Sequence, residues 1–223
     1  MELIIRDSPD EASRLVSQII ARELKADPHL VLGLATGRTM EQVYGMLVKA
    51  HRENGLDFSL FRTFNLDEYL GIPPEHPSSY RRYMDEMLFN KVNIDIRNTH
   101  VPNGISEDLQ AECERYENLI VECGGIDIQL LGIGRAGHIG FNEPLSALRS
   151  RTREKALTPE TIAQNAPLTG GTEKVPRRAI TMGVGTILES SRCVVLVTGA
   201  EKADVLARAV EGPITSMVTA SAL

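Results

Sequence analysis

Short apolar runs rich in Val, Ile, Leu and Phe alternate along the chain with longer segments whose apolar residues recur at helical spacing. That alternation is the pattern of a parallel sheet covered by helices on both faces. The runs predict strands at Glu2–Ile5, Leu30–Leu34, Phe61–Leu66, Ile126–Ile133, Ala179–Met182 and Val194–Val197. Ser8-Pro9-Asp10-Glu11 is a capping box with proline at the first helical position, and Ala12, Leu15, Val16, Ile19 and Ile20 continue it as one apolar stripe, which predicts a helix. Thr39 followed by Gln42, and Thr198 followed by Glu201, repeat the capping spacing just after predicted strands, predicting two strand-turn-helix units. The stretch from Pro144 to Arg178 breaks the pattern: it is polar and carries Pro159, Pro167, Pro176 and the turn signal Thr169-Gly170-Gly171-Thr172. It reads as an excursion of the 144–178 segment, either a lid over a site or a plain surface insertion.

Length and charge narrow the class. A chain of 223 residues suits one α/β domain with a sizeable core. The 24 basic and 30 acidic residues leave a formal charge of -6 with no acidic or basic tail, which argues against a nucleic-acid partner. No run approaches the ~20 apolar residues of a membrane helix, and Met1-Glu2-Leu3-Ile4-Ile5-Arg6-Asp7 lacks the layout of a signal peptide, so a cytoplasmic protein without a membrane partner is expected. Cys113, Cys123 and Cys193 are odd in number and show no CxxC spacing; they suggest small core residues rather than a disulfide or zinc framework.

In an open parallel sheet ligands sit beyond the carboxyl ends of the strands. After the strand at Leu30–Leu34 comes Ala35-Thr36-Gly37-Arg38-Thr39, a glycine and hydroxyls at a helix start, where free N–H groups favour an anion such as phosphate. Arg38 and Lys202 each fall at the first turn of a helix, where a cation costs a few tenths of a kcal/mol up to about 1 unless an anion compensates. Both are candidate phosphate ligands, the alternative being solvated side chains. Asp67 directly follows a strand and suits a general base, whereas Glu68 beside it reads as a helix cap or loop carboxylate. The densest segment runs from Gly132 to Pro144, with Gly132, Gly134, Gly137 and Gly140 around His138 and Glu143: tight backbone, and a histidine that a carboxylate can orient. Metal binding by Asp67, Glu68, His76, His138 and Glu143 has no clustered spacing in its favour, so no metal is expected.

Phe64-Asn65-Leu66-Asp67-Glu68-Tyr69, Glu75-His76-Pro77-Ser78-Ser79-Tyr80, the Gly-His-Ile-Gly-Phe-Asn-Glu-Pro run from Gly137 and Met182-Gly183-Val184-Gly185-Thr186-Ile187 together resemble the glucosamine-6-phosphate deaminase family over nearly the whole length. The resemblance implies a modified Rossmann-like α/β fold, conversion of an amino-sugar phosphate (glucosamine 6-phosphate) into fructose 6-phosphate and ammonia, no cofactor, and usually a homo-oligomer. By motif it assigns Asp67 to proton transfer between C2 and C1, His138 to ring opening, and Glu143 to the carboxylate beside that histidine. It assigns Thr36, Gly37, Arg38, Thr39 and Lys202 to the phosphate. Met1, Ser146, Arg153 and Lys155 match an allosteric site present in some relatives.

Three departures accompany the resemblance. Ala136 stands two before the histidine, where Asp or Asn is common; Pro167 stands where relatives carry a phosphate-binding arginine; and the chain ends at Ser221-Ala222-Leu223, from which a missing edge strand is expected. Two other readings stay open: a 6-phosphogluconolactonase-like hydrolase, which shares the fold and the sugar-phosphate loop, and, on the grounds of Ala136 and Pro167, a sugar-phosphate sensor with weakened catalysis.

Overall fold

Ser8, in extended backbone, accepts the amide of Glu11 on its Oγ at 3.2 Å, and Pro9 opens helix α1 (Pro9–Ala26) as expected of a capped start. The reciprocal arm reaches one residue further than the capping box requires: Glu11 accepts the amide of Asp7 at 3.3 Å. The computed structural model describes residues 1–223, the side chains of Leu168 and Thr169 excepted; the turn signal read at Thr169 lies in part outside the described side chains. After α1 follow β1 (Val31–Leu34), α2 (Arg38–Asn54), β2 (Arg62–Asn65), β3 (Asp67–Tyr69), α3 (Tyr80–Met87), β4 (Thr99–His100), α4 (Leu109–Glu122) and β5 (Ile128–Leu131). The second half adds β6 (Arg153–Ala156), α5 (Pro159–Thr169), β7 (Arg178–Thr181), α6 (Val184–Leu188), β8 (Arg192–Val195) and α7 (Ala203–Val210).

The strands form two sheets. The larger has the order β4-β2-β1-β5-β8 and is parallel throughout, with Leu32 of β1 opposite Thr63 on one side and Ile128 on the other. Connections run from β1 outward to β2 and β4, then cross back to β5 and β8, so the strand order reverses between β1 and β5. A crevice beyond those two strand ends is where such a sheet binds ligands. All four residues of β1 and of β5 are buried, as central strands covered on both faces should be.

Three expectations fail, each for a physical reason. Glu2–Ile5 forms no strand and leaves Leu3, Ile4 and Ile5 exposed, because an apolar run becomes a strand only where a neighbour accepts its hydrogen bonds, and none does so here among the described residues. Residues 179–182 do not join the parallel sheet: β7 is the middle strand of a second, antiparallel sheet of order β3-β7-β6. Thr39 and Thr198 are not caps. Gly37, at φ 112, precedes α2, and Gly199, at φ 95, precedes a 3-10 turn at Ala200–Lys202 that leads into α7; these positive φ values are ones only glycine adopts readily.

The excursion at 144–178 has structure of its own. It supplies β6, α5 and a 3-10 turn at Thr172–Lys174, and Leu157, Ile162 and Val175 pack with Tyr69, Phe141 and Ala179 into a small second core. Asp67-Glu68-Tyr69, read as a loop, is strand β3 of that sheet. Leu66 joins the two sheets: its amide donates to Leu34 O at 2.9 Å, and its carbonyl accepts from the amide of Met182 at 2.7 Å. Cys113 is buried, and Cys123 and Cys193 are half-buried against the main core.

Candidate active site

A cavity of about 490 Å³ opens beyond the carboxyl ends of β1, β2 and β5, lined by Thr36–Thr39, Asp67, Tyr80, Gly134, His138 and Lys202 among others, with Thr161, Asn165 and Pro167 of α5 on one wall. With Thr198 and Lys202 coming from beyond β8, it gathers residues from four separate strand ends and from the excursion. Met1, Ser146, Arg153 and Lys155 do not line it. Met1 is exposed; Ser146 buries an Oγ without a partner among the described residues; Arg153 of β6 donates to Asn142 Oδ1 at 2.9 Å; and Lys155 sits opposite Ala179 of β7.

Asp67 and Glu68 are adjacent on β3, so pleating sends their side chains to opposite faces. Asp67 faces the cavity, is only 6% exposed, and has its pKa pushed up to about 8, first by burial and then by the charge of Glu68. Both causes disfavour the ionised form. The turn at Gly140, with φ 53, lies against it: a methyl there would sit 3.4 Å from Asp67 Oδ2 and 3.0 Å from Thr181 Oγ1. Glu68 points the other way. Its carboxylate accepts from Ser79 Oγ at 2.7 Å and from the amides of Tyr69, Tyr80 and Arg81 at 2.8–3.0 Å, closing the first turn of α3 as the capping reading expected.

His138 lies over Gly134: a Cβ on that glycine would fall 2.0 Å from His138 Nε2, and the Gly134 amide donates to His138 O at 2.8 Å. Burial lowers the imidazole pKa, with the Lys202 charge acting in the same direction and Glu143 opposing it, so the ring is neutral at pH 7. Its Nδ1 is buried without a partner among the described residues, and Ala136 brings no acceptor to it. The expected histidine–carboxylate hydrogen bond is not formed. Glu143 instead accepts from the amide of Thr158 at 3.0 and 3.1 Å and from Thr158 Oγ1 at 3.1 Å, so its oxygens hold the start of α5 and reach His138 through charge alone.

Gly37 gives α2 no side-chain cap, which leaves the first-turn N–H groups beside the cavity with an anion-favouring dipole. Tyr83 donates to Gly37 O at 2.9 Å, and Tyr44 donates to Ala35 O, so two phenols hold this loop. Arg38 makes no hydrogen bond or ion pair with a described residue. Lys202 donates from Nζ to Ile133 O at 2.8 Å; burial and the neighbouring Arg135 lower its pKa.

Residues 7–222 match the profile of a family described as glucosamine-6-phosphate isomerases/6-phosphogluconolactonase. The chain belongs to this family. Glucosamine-6-phosphate deaminases from Hahella chejuensis and a Geobacillus species are 48% and 47% identical to it over 223 residues, all of this chain and 85% and 89% of theirs. A solved structure described as a monomeric glucosamine-6-phosphate deaminase matches with a TM-score of 0.98 at 42% identity, covering 100% of this chain and 92% of that one. A 6-phosphogluconolactonase from Thermotoga maritima shares the fold, with a TM-score of 0.72 at 20% identity over 98% and 92% of the two chains.

Within the family's glycine-rich segment the sequence reading passed over Arg135, which the structure places on the cavity wall beside Lys202. The glycines and His138 drew the reading, and nothing in the local spacing marks a cation there. The five metal-ligand candidates do not converge: no group of three or more His, Cys, Asp or Glu is arranged to hold a metal ion among the described residues.

Proposed function

We propose that this chain converts glucosamine 6-phosphate and water into fructose 6-phosphate and ammonia, with Asp67 as the base. The observation that carries this reading is a buried carboxylate facing the cavity with its pKa raised to about 8, near the working range where a general base is most effective. A lactonase uses a base only to activate water and moves no proton between carbons, so ammonia release from the amino sugar separates the two readings. The first-turn N–H groups of α2, Arg38 and Lys202 hold the phosphate, which sets the other end of the sugar toward Asp67 and His138. His138 moves a proton at the ring oxygen to open the pyranose. Asp67 then takes the C2 proton and returns one to C1; water adds at C2 of the resulting imine and ammonia leaves. A neutral imidazole is able to accept or donate here, while Glu143 acts indirectly by fixing α5.

A coupled assay of ammonia and fructose 6-phosphate tests the reading. Ammonia release from glucosamine 6-phosphate supports it; hydrolysis of 6-phosphogluconolactone without ammonia release, or binding without turnover, would overturn it. Arg38→Ala and Lys202→Ala should each raise KM roughly tenfold or more, since each removes charge-assisted hydrogen bonds from a dianion. Unchanged KM in both would remove the phosphate assignment. His138→Asn should slow turnover of the closed-ring sugar more than that of an open-chain analogue, measured side by side; equal loss on both would refute a ring-opening role. Ala136→Asp, which gives His138 an acceptor, should preserve or raise activity.

A further inference from the structure

β5 lies between β1 and β8 in the parallel sheet, so the turn that follows it is flanked by the Thr36–Thr39 loop on one side and the Gly199–Lys202 turn on the other. That turn is tight. The Gly137 amide donates to Gly134 O at 2.9 Å, which leaves Arg135 and Ala136 at its tip. Gly137, at φ 84, is seated against the protein body: a methyl there would lie 2.7 Å from Val218 Cγ1 and 3.1 Å from Val205 Cγ2. The backbone beneath Arg135 is thus fixed while its side chain is exposed.

Arg135 borders the cavity and makes no hydrogen bond or ion pair with any described residue. Its charge acts on Lys202, another cation. Two like charges at one rim are unfavourable unless an anion compensates; Glu201, also on the cavity wall, offsets part of this at Lys202 but forms no ion pair with either cation among the described residues. Among the described residues the cavity's cations are Arg38, Arg135 and Lys202, and the α5 wall opposite adds Gln164, Asn165 and Pro167, none of them charged. Lys202 already gives one donor to Ile133 O, leaving two of its three for a ligand. An arginine adds a planar fork that matches two phosphate oxygens at once.

We propose that Arg135 is a specificity-determining residue for the phosphate dianion, closing on it as a bidentate arm from the tip of the β5 turn while Lys202 and the start of α2 hold it from either side. This rests on the sugar-phosphate reading above. Because the arm is exposed and its anchor is rigid, it engages when the phosphate arrives.

The test compares Arg135→Ala, Arg135→Lys and Lys202→Ala, using glucosamine 6-phosphate as substrate and inorganic phosphate as competitive inhibitor. Arg135→Ala should raise KM roughly ten- to hundredfold, the loss expected for charge-assisted bonds to a phosphate, with kcat within about twofold of the parent. The inhibition constant for inorganic phosphate should rise by a similar factor, and Arg135→Lys should recover part of both because it restores the charge but not the fork. A purely structural role would lower thermal stability and kcat and would not move phosphate inhibition. If Lys202→Ala raises KM and the phosphate inhibition constant while Arg135→Ala leaves them unchanged, the role of Arg135 is overturned and the phosphate site stands. If neither variant moves them, the sugar-phosphate reading falls with it.

Discussion

On the proposed mechanism Asp67→Asn should lower kcat by roughly 10² to 10⁴ with KM little changed, because it keeps the shape of the side chain and removes the carboxylate that the mechanism uses as base. Near-parent ammonia release by this variant would remove Asp67 from the mechanism. The pKa of about 8 adds a pH signature: kcat/KM of the parent should fall as pH drops below about 8 and Asp67 becomes protonated. It also fixes the sign of a stability effect. The folded-state pKa lies above the ordinary aspartate value of about 4, so folding favours the neutral form, and that stability is present below pH 4 and lost as pH rises through 8. At 1.36 kcal/mol per unit the full loss is about 5 kcal/mol. Asparagine carries no such charge. Asp67→Asn should therefore be more stable than the parent to urea at pH 8.5 and nearly equal to it near pH 4; lower stability of the variant at pH 8.5 would contradict a destabilised carboxylate.

Glu68→Ala should give a large loss of stability. Four donors, from Ser79 Oγ and the amides of Tyr69, Tyr80 and Arg81, converge on this 3% exposed carboxylate; its loss deprives the buried Tyr69 amide and Ser79 hydroxyl of this acceptor at about 1–3 kcal/mol each, while the Arg81 amide keeps Ser79 Oγ at 3.1 Å. These terms do not add fully, so a fall of about 3 kcal/mol or more in unfolding free energy is expected from urea titration. Glu68→Gln keeps one oxygen and should cost less. The same substitution separates structural from electrostatic effects, since the Glu68 charge helps hold the Asp67 pKa up: in Glu68→Gln the acid limb of the kcat/KM profile should move to lower pH. An unmoved limb would show that burial alone sets the pKa of Asp67.

The sequence was most informative where local rules act alone. Ser8, Pro9 and Glu11 announced α1 because caps involve a few neighbouring residues, and the buried runs of β1 and β5 stood out because central parallel strands are apolar on both faces. β6 was not visible: Arg153-Glu154-Lys155-Ala156 is a strand because β7 lies beside it, and its own residues carry no apolar alternation. β3 escaped for the same reason, although its motif pointed to the base. The position of Asp67 on the cavity was readable from topology. The division of labour around it was less so: Glu143 is five residues from His138, yet its oxygens go to Thr158, a partner that only the folded excursion supplies. Arg135 was hidden because a cation's role depends on what surrounds it, here Lys202 across a strand gap.

Leu66 is the link between the two sheets, its amide donating to Leu34 O of β1 and its carbonyl accepting from Met182, and Asp67 comes immediately after it. Asp67 is thereby located by two sets of pairings, one to residues about 30 positions earlier and one to Thr181 of β7, more than 100 positions later. Chain closure over such separations is slow compared with helix formation. During refolding, helical signal and even the parallel sheet can return while the carboxylate still has nothing to define its place. Recovery of turnover is then a clock for the joining of the two sheets rather than for collapse of the core.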